Sequence, residues 1–165
     1  NANANAAALG SALHRALEWI TRPGAPIAPG GHDGAIRAAA RSFGLGPAQL
    51  EVVQRAVQAV LGSAELARFF DASLHLEAGN EVTLAHEGEL LRIDRLVALP
   101  GEGARRTWWV LDFKLGHTPE SSPDFAAAYR QQMARYRAAV QACQPGDEVR
   151  SAFITGTGRF VPISG

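Results

Sequence analysis

Lysine is almost missing from this 165-residue chain: of 16 lysine and arginine positions, only residue 114 is lysine. GC-rich coding produces such a skew, which makes each arginine uninformative and the one lysine conspicuous. Cysteine is as scarce. Cys143 stands alone, which excludes an internal disulfide and a cysteine-held zinc or iron–sulfur centre and agrees with a cytosolic compartment. An excess of either charge is also missing, because 16 acidic residues balance the 16 basic ones and the isoelectric point lies near 7.2. Any contact with nucleic acid must therefore rest on a local patch. No apolar run approaches the ~20 residues of a membrane span, and no basic segment precedes a short apolar one as in a secretory signal. The chain begins without methionine on the low-complexity stretch NANANAAALG. It reads as a single domain over 1–165, a piece of a larger protein with residues 1–8 linker-like.

What is present suffices for one core, since 47% of the residues are apolar. Leu9, Leu13, Leu17 and Ile20 recur at helical spacing and predict a first helix, with His14 and Glu18 four apart beside the stripe. The Pro- and Gly-rich residues 21–34 read as a loop, and further helices are expected over 34–43, 47–61 and 63–70. Short β-like segments follow at 74–85, 89–98 and 106–113, with PGEGA as turn chemistry between the last two. Ser122, Pro123 and Asp124 form a helix start, with a hydroxyl cap, proline at the first helical position and an early acid. That helix runs to about Ala142, and VRSAFIT and RFVPI read as closing strands. The expectation is an α/β domain with a mixed sheet and an N-terminal helical part.

A turn centred on Gly103 sets Asp94 opposite Asp112. Directly opposed residues share a face with Cβ atoms about 4.5–5.5 Å apart, so two carboxylates converge. Lys114 joins that face and Phe113 points away. Two carboxylates in an apolar strand context repel each other and lose hydration. A divalent cation with oxygen ligands offsets both costs, and magnesium takes one or two carboxylates beside water and phosphate oxygens. A nearby lysine can orient a water and stabilise charge on the phosphate. A compact ammonium suits that position better than a guanidinium. In the long helix, Phe125, Tyr129, Gln132, Tyr136 and Val140 share a face, which directs Gln132 inward or toward the site.

RIDRLV followed by VLDFK resembles the Asp…Asp-x-Lys core of the PD-(D/E)XK nuclease superfamily, in its RecB-type branch. GSALHRALEW is similar to that branch's G-x-x-x-H helix, and QMARY to its Gln-x-x-x-Tyr motif, at Gln132 and Tyr136. The resemblance spans residues 10–136. It implies a restriction-endonuclease-like α/β/α core and Mg2+-dependent hydrolysis of DNA phosphodiesters, with Mn2+ as a substitute. His14, Asp94, Asp112 and the backbone carbonyl of Phe113 take the metal-ligand roles, and Lys114 is the catalytic lysine. Gln132 and Tyr136 support the site or contact DNA, and Glu81 is an auxiliary acid. The single cysteine favours the AddA or RecB side over the iron–sulfur AddB type. That implies helicase domains in the same chain, a second AddB- or RecC-like subunit, and a role in double-strand break repair and recombination.

Plainer alternatives stand beside each of these. Asp112 and Lys114 could form a strand-end salt bridge, Asp94 could pair with Arg92 or Arg95, His14 could simply pack, and Gln132 and Tyr136 could be helix packing. His75, His86 and His117 carry no motif, though His117 follows the Asp-x-Lys strand closely. Arg105, Arg106, Arg130, Arg135 and Arg137 form either a basic patch for phosphates or a solvated, ion-paired face. The second functional class is a nuclease-like fold kept as a non-catalytic DNA-binding or partner-docking module.

Overall fold

Alanine carries the first helix well beyond its apolar stripe. In a computed structural model, which describes residues 2–24, 30–115 and 123–164 without the side chains of 2–3 and 123–126, helix α1 spans Ala2–Thr21. Residues 2–8, expected to be linker-like, are thus helical. They lack apolar periodicity but include five alanines between Ala2 and Ala8, and alanine has the highest helix propensity. Helix α2 covers Gly31–Ser42 and α3 Pro47–Leu61, whose proline takes the first turn while Gln49 Oε1 accepts from the Gly46 amide. The expected helix over 63–70 shrinks to α4, Ala67–Phe70, followed by a 3-10 turn at Ala72–Leu74.

Five strands then form one sheet in the order β1-β2-β3-β4-β5: β1 Glu77–His86, β2 Glu89–Pro100, β3 Arg106–Lys114, β4 Glu148–Thr155 and β5 Phe160–Pro162. All neighbours are antiparallel except β3 and β4. That parallel pair needs a crossover, which helix α5, Pro123–Cys143, supplies. The Ser122 cap and His117 lie outside the described residues.

Strand β3 is buried on both faces from Trp108 to Phe113, as a central strand should be. Trp109, Leu111 and Phe113 pack with Leu13, Leu17, Ile36 and Val53 under α1 to α3. Trp108 and Val110 pack with Met133, Tyr136 and Val140 of α5. This is the expected α/β/α layering around a mixed sheet. No helix among the described residues is long and apolar enough to cross a membrane.

One irregularity positions the site. Leu91 and Ile93 face the α5 side, yet Val97 faces the other, so the two-residue alternation of β2 is broken between them. The β1–β2 pairing jumps from Val82↔Ile93 to Asn80↔Arg95, and the skipped Glu81 has φ 53, in the left-handed region. Such a disruption bends a strand and re-aims its side chains. Here it re-aims Glu81 and Asp94.

Candidate active site

Asp112 and Lys114 are set by the central strand. Both lie on the α5 side of β3, with Asp112 5% exposed and Lys114 Nζ 2.6 Å from its Oδ2. The ammonium also sits 4.0 Å from the ring centre of Tyr129 on α5. The hairpin register follows the turn at Gly103, pairing Arg95↔Leu111 through Pro100↔Arg106. Pairing stops one step short of Asp94 and Asp112. Beyond that point the Phe113 amide finds no β2 partner in the ladder, and Asp94 Oδ2 accepts it at 2.9 Å. Asp94 is therefore held by the strand end it faces, and it still reaches Asp112 through a side-chain hydrogen bond.

Helix α1 supplies the imidazole. His14 Nε2 lies 3.0 Å from Asp94 Oδ1 and 3.3 Å from Glu81 Oε1, and its ring meets Phe113 edge-on at 5.6 Å. Glu18, one turn along the same helix face, forms with His14 and Glu81 a group whose ligand atoms lie within 4.8 Å of one another. Arg92 Nε closes on Glu81 Oε2 at 2.8 Å.

The protonation pattern follows from this crowding. Burial, together with the charge of Asp94 and the hydrogen bond to it, pushes Asp112 up to about 7 against the partial offset of Lys114. Burial would raise Asp94 as well, but hydrogen bonds from His14, Asp112 and the Phe113 amide hold it below the usual carboxylate range. Of the two carboxylates, Asp112 is therefore the one that holds a proton more readily. Burial opposes charge on His14 and Lys114, yet their acidic neighbours outweigh it and raise both.

This donor set fits a divalent cation. Asp94 and Asp112 bring two buried carboxylates together, and the Lys114 ammonium, 2.6 Å from Asp112 Oδ2, offsets their charge only in part. A divalent cation would offset the repulsion between the two carboxylates and allow both to be charged. Among the described residues, His14, Glu18 and Glu81 are the three that bring their ligand atoms within 4.8 Å of one another. Asp94 adjoins that group through His14, whereas the expected trio of His14, Asp94 and Asp112 is not drawn together to the same closeness.

Several sequence expectations change in detail. Asp94 pairs with neither arginine: Arg92 binds Glu81, while Arg95, 2% exposed, donates to Phe69 O, Thr21 O and Asn80 Oδ1. Gln132 Nε2 donates to Tyr136 Oη at 2.9 Å, and Tyr129 is the α5 residue beside Lys114. Of the five arginines weighed as a phosphate patch, Arg106 pairs with Glu77, Arg135 with Glu89, and Arg137 donates to Ser151. Those three belong to an ion-paired or hydrogen-bonded surface. His75 contacts Arg68 O, and His86 lies beside Glu87, both away from the site. Glu18 was missed, and its signal was the four-residue step from His14.

A search of curated proteins found no significant match. A family model described as the PD-(D/E)XK nuclease superfamily matches residues 1–159, and the chain belongs to that superfamily.

Proposed function

We propose that this domain is a Mg2+-dependent deoxyribonuclease, with Mn2+ able to substitute, that forms the C-terminal part of a cytosolic RecB/AddA-type helicase–nuclease acting in double-strand break repair and recombination. The observation that carries the chemistry is the convergence of four elements. An imidazole from α1, a re-aimed carboxylate from β2, a buried carboxylate and the only lysine from β3, and the Tyr129 ring from α5 all meet at one sheet end. The helicase context rests on the order G-x-x-x-H, Asp, Asp-x-Lys, Gln-x-x-x-Tyr and on the single cysteine. It implies helicase domains in the same chain and a second AddB- or RecC-like subunit.

His14, Asp94, Asp112 and the backbone carbonyl of Phe113 would hold the cation, with Glu81 as auxiliary acid. When bound, the cation polarises the phosphodiester and lowers the pKa of a water. Lys114, protonated beside Asp112, offers N–H donors to the attacking water and to the charge that builds on the phosphate oxygens. Tyr129 limits where that ammonium can move, and the Gln132–Tyr136 pair stiffens the same face of α5. Cleavage of plasmid and single-stranded DNA in Mg2+ or Mn2+ tests the reading. Asp112→Ala and Lys114→Ala are expected to lose roughly 100-fold or more in rate. An inactive parent, or variants that cleave as well as the parent, would refute it in favour of a non-catalytic DNA-binding or docking module.

A further inference from the structure

Glu81 has a backbone that its side chain does not favour. Its φ of 53 lies in the left-handed region, and a non-glycine residue stays there only where its surroundings over-determine it. The preceding residue supplies that constraint. Asn80 Nδ2 donates to Glu18 O and to Thr21 Oγ1, both at 3.0 Å, and its Oδ1 accepts from Arg95 Nη1 at 2.8 Å. Glu18 O and Thr21 O belong to the last four carbonyls of α1, which have no donor within the helix. Asn80 satisfies the first and Arg95 the second. Thr21 spends its own hydroxyl proton on Leu17 O, so it can only accept from Asn80. The strand is shaped for the same bend, since a Cβ at Gly79 would lie 3.0 Å from Val82 Cγ2.

We propose that Asn80 is a positioning residue for the candidate metal centre: it ties the irregular step of β1 to the end of α1 and so aims Glu81 at the His14 side of the cation. The inference rests on the metal site of the nuclease reading above and adds a residue that supplies no ligand of its own. Glu81 Oε1 lies 3.3 Å from His14 Nε2, and Glu18 completes the group within 4.8 Å. The two glutamates come from different elements. Asn80 bonds to the backbone of the one and precedes the other in the chain. Arg92 is a weaker anchor for Glu81, because its side chain is 69% exposed and an exposed ion pair contributes little. His14 does not need the clamp, because Leu13 and Leu17 bury the same helix against the sheet. Loss of Asn80 therefore releases Glu81 and leaves the imidazole in place.

The test is Mn2+ affinity, measured by calorimetry without DNA, for Asn80→Ala, Glu81→Gln and the double variant. Removing a residue that orients metal ligands costs roughly 10- to 100-fold in metal affinity, so Asn80→Ala should lose about tenfold. On the Glu81→Gln background the same change should cost no more than about twofold, because its effect passes through a carboxylate that is already gone. Val57→Ala, a core deletion in α3, should lower the melting temperature yet keep the parental Mn2+ affinity, which separates positioning from stability. Thr21→Val keeps the shape of its side chain and removes an acceptor of Asn80, so it should lower the affinity about two- to tenfold, the range of one hydrogen bond, with the same non-additivity toward Glu81→Gln. It carries the test where Asn80→Ala folds poorly. Parental affinity in Asn80→Ala and Thr21→Val, losses that multiply in the double variant, an equal loss in Val57→Ala, or a parent that binds no Mn2+ overturns the proposal. Because no cleavage is read, a parent that binds Mn2+ with this pattern yet fails to cut DNA would sink the nuclease reading and leave the role of Asn80 standing.

Discussion

Replacing Asp112 with asparagine should stabilise the metal-free protein, increasingly so as pH rises. In the fold Asp112 keeps its proton up to about pH 7, whereas its ordinary value is 3.8. A carboxyl raised in this way contributes stability that is fully present below its unfolded pKa and is lost as pH rises through its folded one. Between about pH 5 and pH 8 the unfolded chain is already ionised at this position, while the folded protein must release its proton near 7. About two pH units at ~1.4 kcal/mol each give roughly 3 kcal/mol. For a domain of this size that is a melting shift of roughly 6–12 °C. Asp94, held low, changes its contribution only in acid, and the rise in His14 comes from Asp94, Glu81 and Glu18, which both proteins keep. The difference between wild type and Asp112→Asn therefore isolates Asp112. Thermal melts in EDTA across this range are the assay. Replacing EDTA with Mn2+ should reverse the order at high pH, since only the wild type gains a ligand that displaces the proton. A melting difference independent of pH, with no Mn2+ effect, would refute the reasoning.

Two further substitutions probe neighbouring claims. Lys114→Arg should fold and bind Mn2+ as the wild type does, yet cleave DNA roughly 10- to 100-fold more slowly, because a planar fork cannot take the place of a compact ammonium between Asp112 and Tyr129; steady-state cleavage rates check this. Arg95→Met removes donors to Phe69 O, Thr21 O and Asn80 Oδ1, which tie α4, α1 and β1 together, and should cost about 3 kcal/mol in a denaturant melt.

The hairpin was legible because its signal is local. PGEGA specifies a turn, the turn sets the register, and the observed pairs from Arg95↔Leu111 to Pro100↔Arg106 follow it. The layers were legible for a similar reason, since an apolar run such as WWVL marks a doubly buried strand and the stripe of α5 marks its packing face. What sequence could not show is where regularity stops. The break at Asp94 exists because β2 parts from β3 there and His14 docks from a helix some 80 residues earlier in the chain. Nothing in RIDRLV encodes a left-handed Glu81 on the neighbouring strand. Glu18 belongs to the site only once β1 brings Glu81 against α1, and Tyr129 rather than Gln132 meets Lys114 because of how α5 is rotated over the sheet. The early start of α1 was hidden for the opposite reason: alanine forms helix without leaving an apolar period.

The central claim is that one divalent cation offsets the repulsion between Asp94 and Asp112 and allows both to be charged. A crystal structure of the protein soaked with Mn2+, read through the anomalous signal of the ion, tests it most directly. The account predicts a single strong peak ligated by His14, Asp94 and Asp112. A peak held by Glu18 and Glu81 with Asp112 left unligated, or no peak at this sheet end, would contradict it.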